Sequence, residues 1–190
     1  MIKRLFIAIR PNQATIEAIA SFQKELQKEL GFKGIRWVNP GLFHITLRFL
    51  GDTNIKQVPE LVSSLRLVAE TSDRFNLIFQ GVDHFGSRGA LRTIWAGTRD
   101  SSHLEKLFDR VVHCTEFLQL DQRPRYSPHL TLARGSERLT KQESAMIVQT
   151  LSAYKEIYFG ETNITAFELS ESTLTPSGPI YKKVQYFNLG

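Results

Sequence analysis

Cysteine is almost missing from this chain of 190 residues: Cys114 is the single example. One thiol excludes an internal disulfide framework and any zinc site built on cysteines, and it suits a reducing, cytoplasmic compartment. Long apolar runs are missing too. None approaches the ~18 residues a membrane span needs. The opening Leu5-Phe6-Ile7-Ala8-Ile9 is too short for a signal sequence and stops at Arg10-Pro11 without a small-residue cleavage site. There is no low-complexity stretch and no obvious linker. Charged residues make up 23% and hydrophobic residues 42%, near the globular average, so bulk disorder is not expected.

What the chain does have is aromatic mass and a modest basic excess. Thirteen Phe, five Tyr and two Trp can build a sizeable core. Lys and Arg number 24 against 19 Asp and Glu, a net charge of +5. That balance favours anionic partners such as nucleotides or RNA, though only weakly. The length fits one domain or two small lobes on a shared core.

Periodicity outlines an α+β protein with antiparallel sheets. Residues 4–10 read as a strand. Ile16, Ile19, Ala20, Phe22, Leu26 and Leu30 then recur at helical spacing up to Gly31. A short strand at 36–38, the turn Asn39-Pro40-Gly41, a strand over 43–50 and a helix over about 55–70 follow. Strands near 74–83 and 92–98 flank a Gly86–Gly89 loop. The second half repeats the plan: a helix capped by Ser101 or Ser102 and running to about 119, a Pro-containing loop over 121–128, a strand over 129–134, Gly135 and a helix over about 140–152. Strands near 156–171 and 180–187 end the chain. A helix, a Pro loop, a His-bearing strand, a Gly and a helix in each half suggest an internal duplication.

Two tetrapeptides carry the chemistry: His44-Ile45-Thr46-Leu47 and His129-Leu130-Thr131-Leu132. With 14 Thr and 22 Leu in the chain, two of five histidines followed by x-Thr-Leu arise by chance in under about one sequence in a thousand. In a strand, alternate side chains share a face. His44 and Thr46 therefore point one way and Ile45 and Leu47 the other, and the second motif does the same. The apolar pair can anchor each strand, leaving imidazole and hydroxyl free. A pseudo-two-fold axis would bring two imidazoles and two hydroxyls around one pocket. Such a pocket suits in-line attack at phosphorus: one imidazole takes a proton from water, the other protonates the leaving oxygen, and hydroxyls bond phosphate oxygens. No Asp, Glu or Cys stands at ligand spacing from either histidine, so neither a zinc site nor a cofactor is expected. Arg134 has the wrong parity to join Thr131 on a regular strand. It needs a bulge, or its own length, to reach the pocket.

At these residues the chain resembles the 2H phosphoesterase superfamily, and within it the RNA 2′,3′-cyclic phosphodiesterases, historically called 2′-5′ RNA ligases. The resemblance runs from Arg4-Leu5-Phe6-Ile7-Ala8-Ile9 through Trp37-Val38, His44 to Gly51, Ile94-Trp95-Ala96-Gly97 and Pro128 to Arg134. It reaches Phe167 to Ser172 and Tyr181. It implies a bilobal, pseudo-two-fold fold with the cleft between lobes, residues 1–190 forming one domain of two intertwined lobes. It also implies metal-independent hydrolysis of a 2′,3′-cyclic phosphate to a 2′-phosphomonoester, with His44 as proton donor and His129 as proton acceptor. Thr46 and Thr131 would hold the phosphate, with Arg134 as a further contact. Phe49, Trp37 and Tyr181 would line the nucleotide site, where a base can stack on a ring. The reverse reaction would join a cyclic end to a 5′-hydroxyl.

The alternative is a non-catalytic 2H module that binds nucleotides or RNA; two intact histidines argue against it. A monomer acting on cyclic-phosphate RNA ends, away from membranes, is the resulting expectation. His84, His103 and His113 lack the motif context; His103 and His113 fall in an expected helix and read as surface or capping residues. Cys114 reads as a small buried apolar group, Lys24, Glu25, Lys28 and Glu29 as a solvated helix face, and Arg123 and Arg125 as a basic rim for RNA or as residues that keep their loop soluble.

Overall fold

The computed structural model describes residues 1–87, 89–120, 126–176 and 178–190. Its strands are β1 (Ile2–Ile9), β2 (Ile35–Trp37), β3 (Ile45–Asn54), β4 (Phe75–Ser87), β5 (Ala90–Arg99), β6 (Leu130–Gly135), β7 (Tyr158–Ile164), β8 (Ala166–Thr175) and β9 (Gly178–Asn188). The helices are α1 (Gln13–Leu30), α2 (Val58–Glu70), α3 (Ser102–Cys114) and α4 (Lys141–Leu151). Every strand pair described is antiparallel, and all belong to one sheet ordered β7-β4-β5-β6-β3-β1-β8-β9, with β2 added on β6.

The duplication is visible in that order. Outward from the centre, β3 is followed by β1, β8 and β9, and β6 by β5, β4 and β7. The two halves meet where Ile45 pairs with Leu130, each the residue after its motif histidine. The pseudo-two-fold axis therefore passes between the motifs. Two of the four described helices cross over it. α1 leaves β1 yet packs on β7, in the other half. α3 leaves β5 yet packs on β3 and α2.

Local chemistry sets the boundaries. Asn12 accepts from the Thr15 amide to start α1, and Gly31, at φ 60°, ends it in the left-handed conformation that glycine adopts without strain. Thr140 and Glu143 form a reciprocal capping box on α4. Two expected helices are shorter than their patterns. The segment from Ile55 begins as a 3-10 turn and becomes α-helical at Val58, where Pro59 tolerates the free first turn. α3 stops at Cys114 and a separate 3-10 turn spans Glu116–Leu118. Ser101 holds the N-cap position of α3 but makes no side-chain bond to the helix backbone; its hydroxyl donates to Glu105 instead. The loop expected over 86–89 is a tighter hairpin, with Ser87 paired to Ala90.

Ile45, Leu47, Leu130 and Leu132 are all fully buried in the core that the helices cover. At about 25 cal/mol per Å2 of buried apolar surface, each fixes its strand face by roughly 1.5–3 kcal/mol. His44, Thr46, His129 and Thr131 are partly exposed on the opposite face. His103 stacks on Phe75, and His113 is exposed beside Glu116. Cys114 is half-buried, with its thiol pushed up to about 11 by burial, hence an inert group. Arg123 and Arg125 lie outside the described residues.

Candidate active site

A cavity of about 550 Å3 opens where the two halves meet. His44, Thr46 and Phe49 line it from β3 and the turn before it, His129, Thr131 and Arg134 from β6 and the approach to it. Trp37 and Tyr181 add walls from β2 and β9. All eight residues singled out in the sequence thus border one space. Arg36 and Asn39, which sequence patterning had not flagged, border it as well.

Both histidines are held by the same device. The carbonyl two residues upstream accepts from Nδ1–H: Leu42 at 2.7 Å for His44, Ser127 at 2.8 Å for His129. A carbonyl can only accept, so the proton sits on Nδ1 and Nε2 is the working nitrogen. His44 Nε2 lies 3.1 Å from the Thr46 hydroxyl. That hydroxyl donates to the neutral ring or accepts from the protonated one. Among the described residues, His129 Nε2 has no protein partner within hydrogen-bonding distance.

Aromatic rings fix each imidazole further. His44 packs against Phe6 (5.2 Å between centroids) and Tyr181 (5.4 Å, edge-on), which also meet each other at 4.9 Å. His129 meets Phe85 edge-on at 4.8 Å and Trp95 at 6.1 Å. Phe6, Phe85 and the side of Trp95 that touches His129 come from strands distant in sequence, so no local pattern announces them.

Burial pulls both imidazoles below their ordinary value of 6.5. For His44 the Leu42 bond pushes back up; Arg10 and His129 pull further down, and Glu168 pushes up. For His129 the Ser127 bond pushes up and Arg134 pulls down. The Tyr181 phenol is pushed up, chiefly by burial, and stays protonated at neutral pH.

The parity problem at Arg134 has a structural solution. Trp95 pairs with Thr131 and Ile94 with Ala133, so Leu132 is an extra residue in β6. This β-bulge turns Arg134 to the face of Thr131, while Leu132 and Ala133 both stay buried. The bulged Leu132 carbonyl accepts from the Val38 amide (2.9 Å) and from Gln23 Nε2 (2.9 Å). β3 carries the same insertion: Ala8 pairs with Thr46 and Ile7 with Arg48, leaving Leu47 extra. Phe49 is thereby turned into the cavity and is 66% exposed, which rules out core packing for it. Arg48 goes inward and donates to the Val112 carbonyl at 2.7 Å. Phe49 and Arg134 are therefore symmetry counterparts, one apolar and flat, the other cationic.

Among the described residues no cluster of three or more His, Cys, Asp or Glu is placed to hold a metal ion, and no helix is long and apolar enough to cross a membrane.

Comparison with known proteins agrees with this geometry. The profile of the LigT-like phosphoesterases matches residues 9–95. The RNA 2′,3′-cyclic phosphodiesterase of Archaeoglobus fulgidus is 30% identical over 184 residues, covering 97% of this chain and 99% of the relative. That of Aquifex aeolicus is 27% identical, covering 93% and 94%. Among solved structures, a Thermus thermophilus protein superposes with a TM-score of 0.81 at 24% identity, covering 98% of this chain and 97% of the other. Escherichia coli LigT complexed with 3′-AMP gives 0.78 at 22% identity, covering 100% and 99%. With a relative at 30% identity matched along nearly its whole length, this chain belongs to the RNA 2′,3′-cyclic phosphodiesterase family of LigT-like 2H phosphoesterases.

Proposed function

We propose that this protein hydrolyses the 2′,3′-cyclic phosphate at an RNA end to a 2′-phosphomonoester, using its two motif histidines as acid and base. The observation that carries this reading is the matched pair of imidazoles on one cavity, each with Nδ1–H tied to a carbonyl so that Nε2, which in His44 rests against the Thr46 hydroxyl, is the working nitrogen.

The steps follow from those atoms. His129 Nε2 starts unprotonated and takes a proton from water as the water oxygen attacks phosphorus. The phosphorus–O3′ bond breaks on the opposite side. His44, protonated on both nitrogens, gives its Nε2 proton to the departing O3′. The phosphate remains on O2′, His44 ends neutral and His129 ends cationic, and proton exchange with solvent resets the pair. Thr46 and Thr131 donate to non-bridging oxygens, and Arg134 offsets their charge in the attacking state. Phe49 gives the terminal base a ring to stack on, with Trp37 and Tyr181 closing the nucleoside site. None of these steps draws on a metal or cofactor. Run backwards with an RNA 5′-hydroxyl in place of water, the same chemistry forms a 2′-5′ bond.

The RNA names of the relatives and the 3′-AMP complex of LigT support RNA or nucleotides as the partner. The crossing of α1 and α3 between halves supports reading residues 1–190 as a single domain of two intertwined lobes. The lone Cys114 supports a cytoplasmic location, and we take the protein to act as a monomer.

The test is an assay in EDTA on an oligoribonucleotide ending in a 2′,3′-cyclic phosphate, with product position read against 2′- and 3′-phosphate standards. Wild type should give the 2′-phosphate. His44→Ala and His129→Ala should each be slower by about a thousand-fold, within the range for general acid–base groups. Retained binding of the cyclic end without turnover by wild type would favour a binding module instead.

A further inference from the structure

Among the described residues, His44 has a brace with no counterpart at His129. The ring hangs from the Leu42 carbonyl, which belongs to a single 3-10 turn, Pro40–Leu42. So short a turn has few bonds of its own: Leu42 N–H and Phe43 N–H donate to the Asn39 and Pro40 carbonyls, and the Asn39 side chain accepts from Gly41 N–H. A longer arm holds it from outside. Arg10, just past β1, donates from Nη1 to the Gly41 carbonyl at 2.9 Å and from Nε to Glu168 at 3.2 Å. Glu168, on β8, is 3% exposed and also accepts from the Ser170 hydroxyl at 2.9 Å, with Lys183 3.7 Å from its other oxygen. That other oxygen is buried and has no hydrogen-bond partner among the described residues. A buried carboxylate so placed is costly unless its cation stays in position, which ties Arg10 firmly to it. Among the described residues, no arginine bonds the Ser127 or Pro128 backbone in the same way.

We propose that Arg10 and Glu168 are positioning residues for the acid histidine. Glu168 orients the Arg10 guanidinium, Arg10 pins the Gly41 carbonyl, and the pinned turn aims the His44 ring at the leaving oxygen. Neither residue borders the cavity that would hold substrate, so their effect reaches the reaction through neighbours: both act on His44, and Arg10 also sets its charge near the Tyr181 phenol. The same two charges also act on the His44 proton in opposite senses, Arg10 against it and Glu168 for it, so keeping both preserves a balance that losing one would tip. This inference rests on His44 being the acid.

A substrate whose 3′ bridging oxygen is replaced by sulfur isolates that role. A thiolate leaves without protonation, so any defect in delivering the acid's proton disappears with it. Arg10→Ala and Glu168→Gln should lower kcat on the oxygen substrate by about ten- to hundred-fold, the scale of a small misplacement of a catalytic group. KM should stay within about two-fold, Arg10→Lys should recover part of the loss, and thermal midpoints should show that each variant folds. On the sulfur substrate, Arg10→Ala, Glu168→Gln and His44→Ala should all approach wild type. If His44→Ala is restored but Arg10→Ala and Glu168→Gln are not, or if those two show no defect at all, the positioning role is overturned while His44 as acid stands. If His44→Ala itself is not restored, the acid assignment falls and the inference falls with it.

Discussion

The two halves of the cleft are built alike and finished differently. Each presents a histidine tied by Nδ1 to a carbonyl two residues back, a threonine two residues on, and a bulged leucine that brings a third side chain into the cavity. There the likeness stops. In the first half the third side chain is Phe49, and the histidine is engaged by Thr46 and steadied through Arg10. In the second it is Arg134, and the histidine, packed against Phe85 and Trp95, has no Nε2 partner among the described residues. In the proposed mechanism the duplicated backbone supplies two proton carriers to one phosphate, and their unequal surroundings would set one as acid and the other as base.

Substitutions can break the comparison at each matched position. The histidine variants carry the largest expected losses. Next come the hydroxyls: Thr46→Val and Thr131→Val should each lower kcat/KM by about ten- to hundred-fold, the worth of a hydrogen bond to a charged group. The Thr46 loss should be the greater, because that hydroxyl also bonds His44; steady-state kinetics on the cyclic substrate would show it. Arg134→Ala should raise KM by about ten-fold, through loss of a charge-assisted phosphate contact. It should also move the pH profile. Arg134 holds the His129 pKa down, so its removal raises it, and the base is then protonated up to a higher pH. The acid limb of kcat/KM should shift upward while the alkaline limb, set by His44, stays. In wild type both limbs should lie below 6.5, because burial lowers both imidazoles. The smallest effect belongs to Phe49→Ala: about a five-fold rise in KM at constant kcat, the low end for losing one stacked base.

Much of this was legible in the sequence. Alternation about the two x-Thr-Leu motifs located the strands, their buried and open faces and four residues that border the cavity. The repeat of helix, Pro loop, strand, Gly and helix anticipated the pseudo-two-fold plan. What stayed hidden depends on partner strands. Leu47 and Leu132 look like ordinary members of their strands; only pairing with β1 and β5 shows them to be extra, and that decides where Phe49 and Arg134 point. Phe85 and Trp95 reach His129 from β4 and β5, and Glu168 reaches Arg10 across 158 residues. The helix crossing is likewise a long-range event, fixed by which half of the sheet offers an apolar face.

The division of labour between the halves is tested most directly by the oxygen-to-sulfur rate ratio for His44→Ala and His129→Ala side by side. The account predicts that sulfur in the leaving position restores His44→Ala nearly to wild type and leaves His129→Ala as slow as before, because water still needs a base. Restoration of His129→Ala, with His44→Ala left slow, would contradict it and reverse the roles of the two histidines.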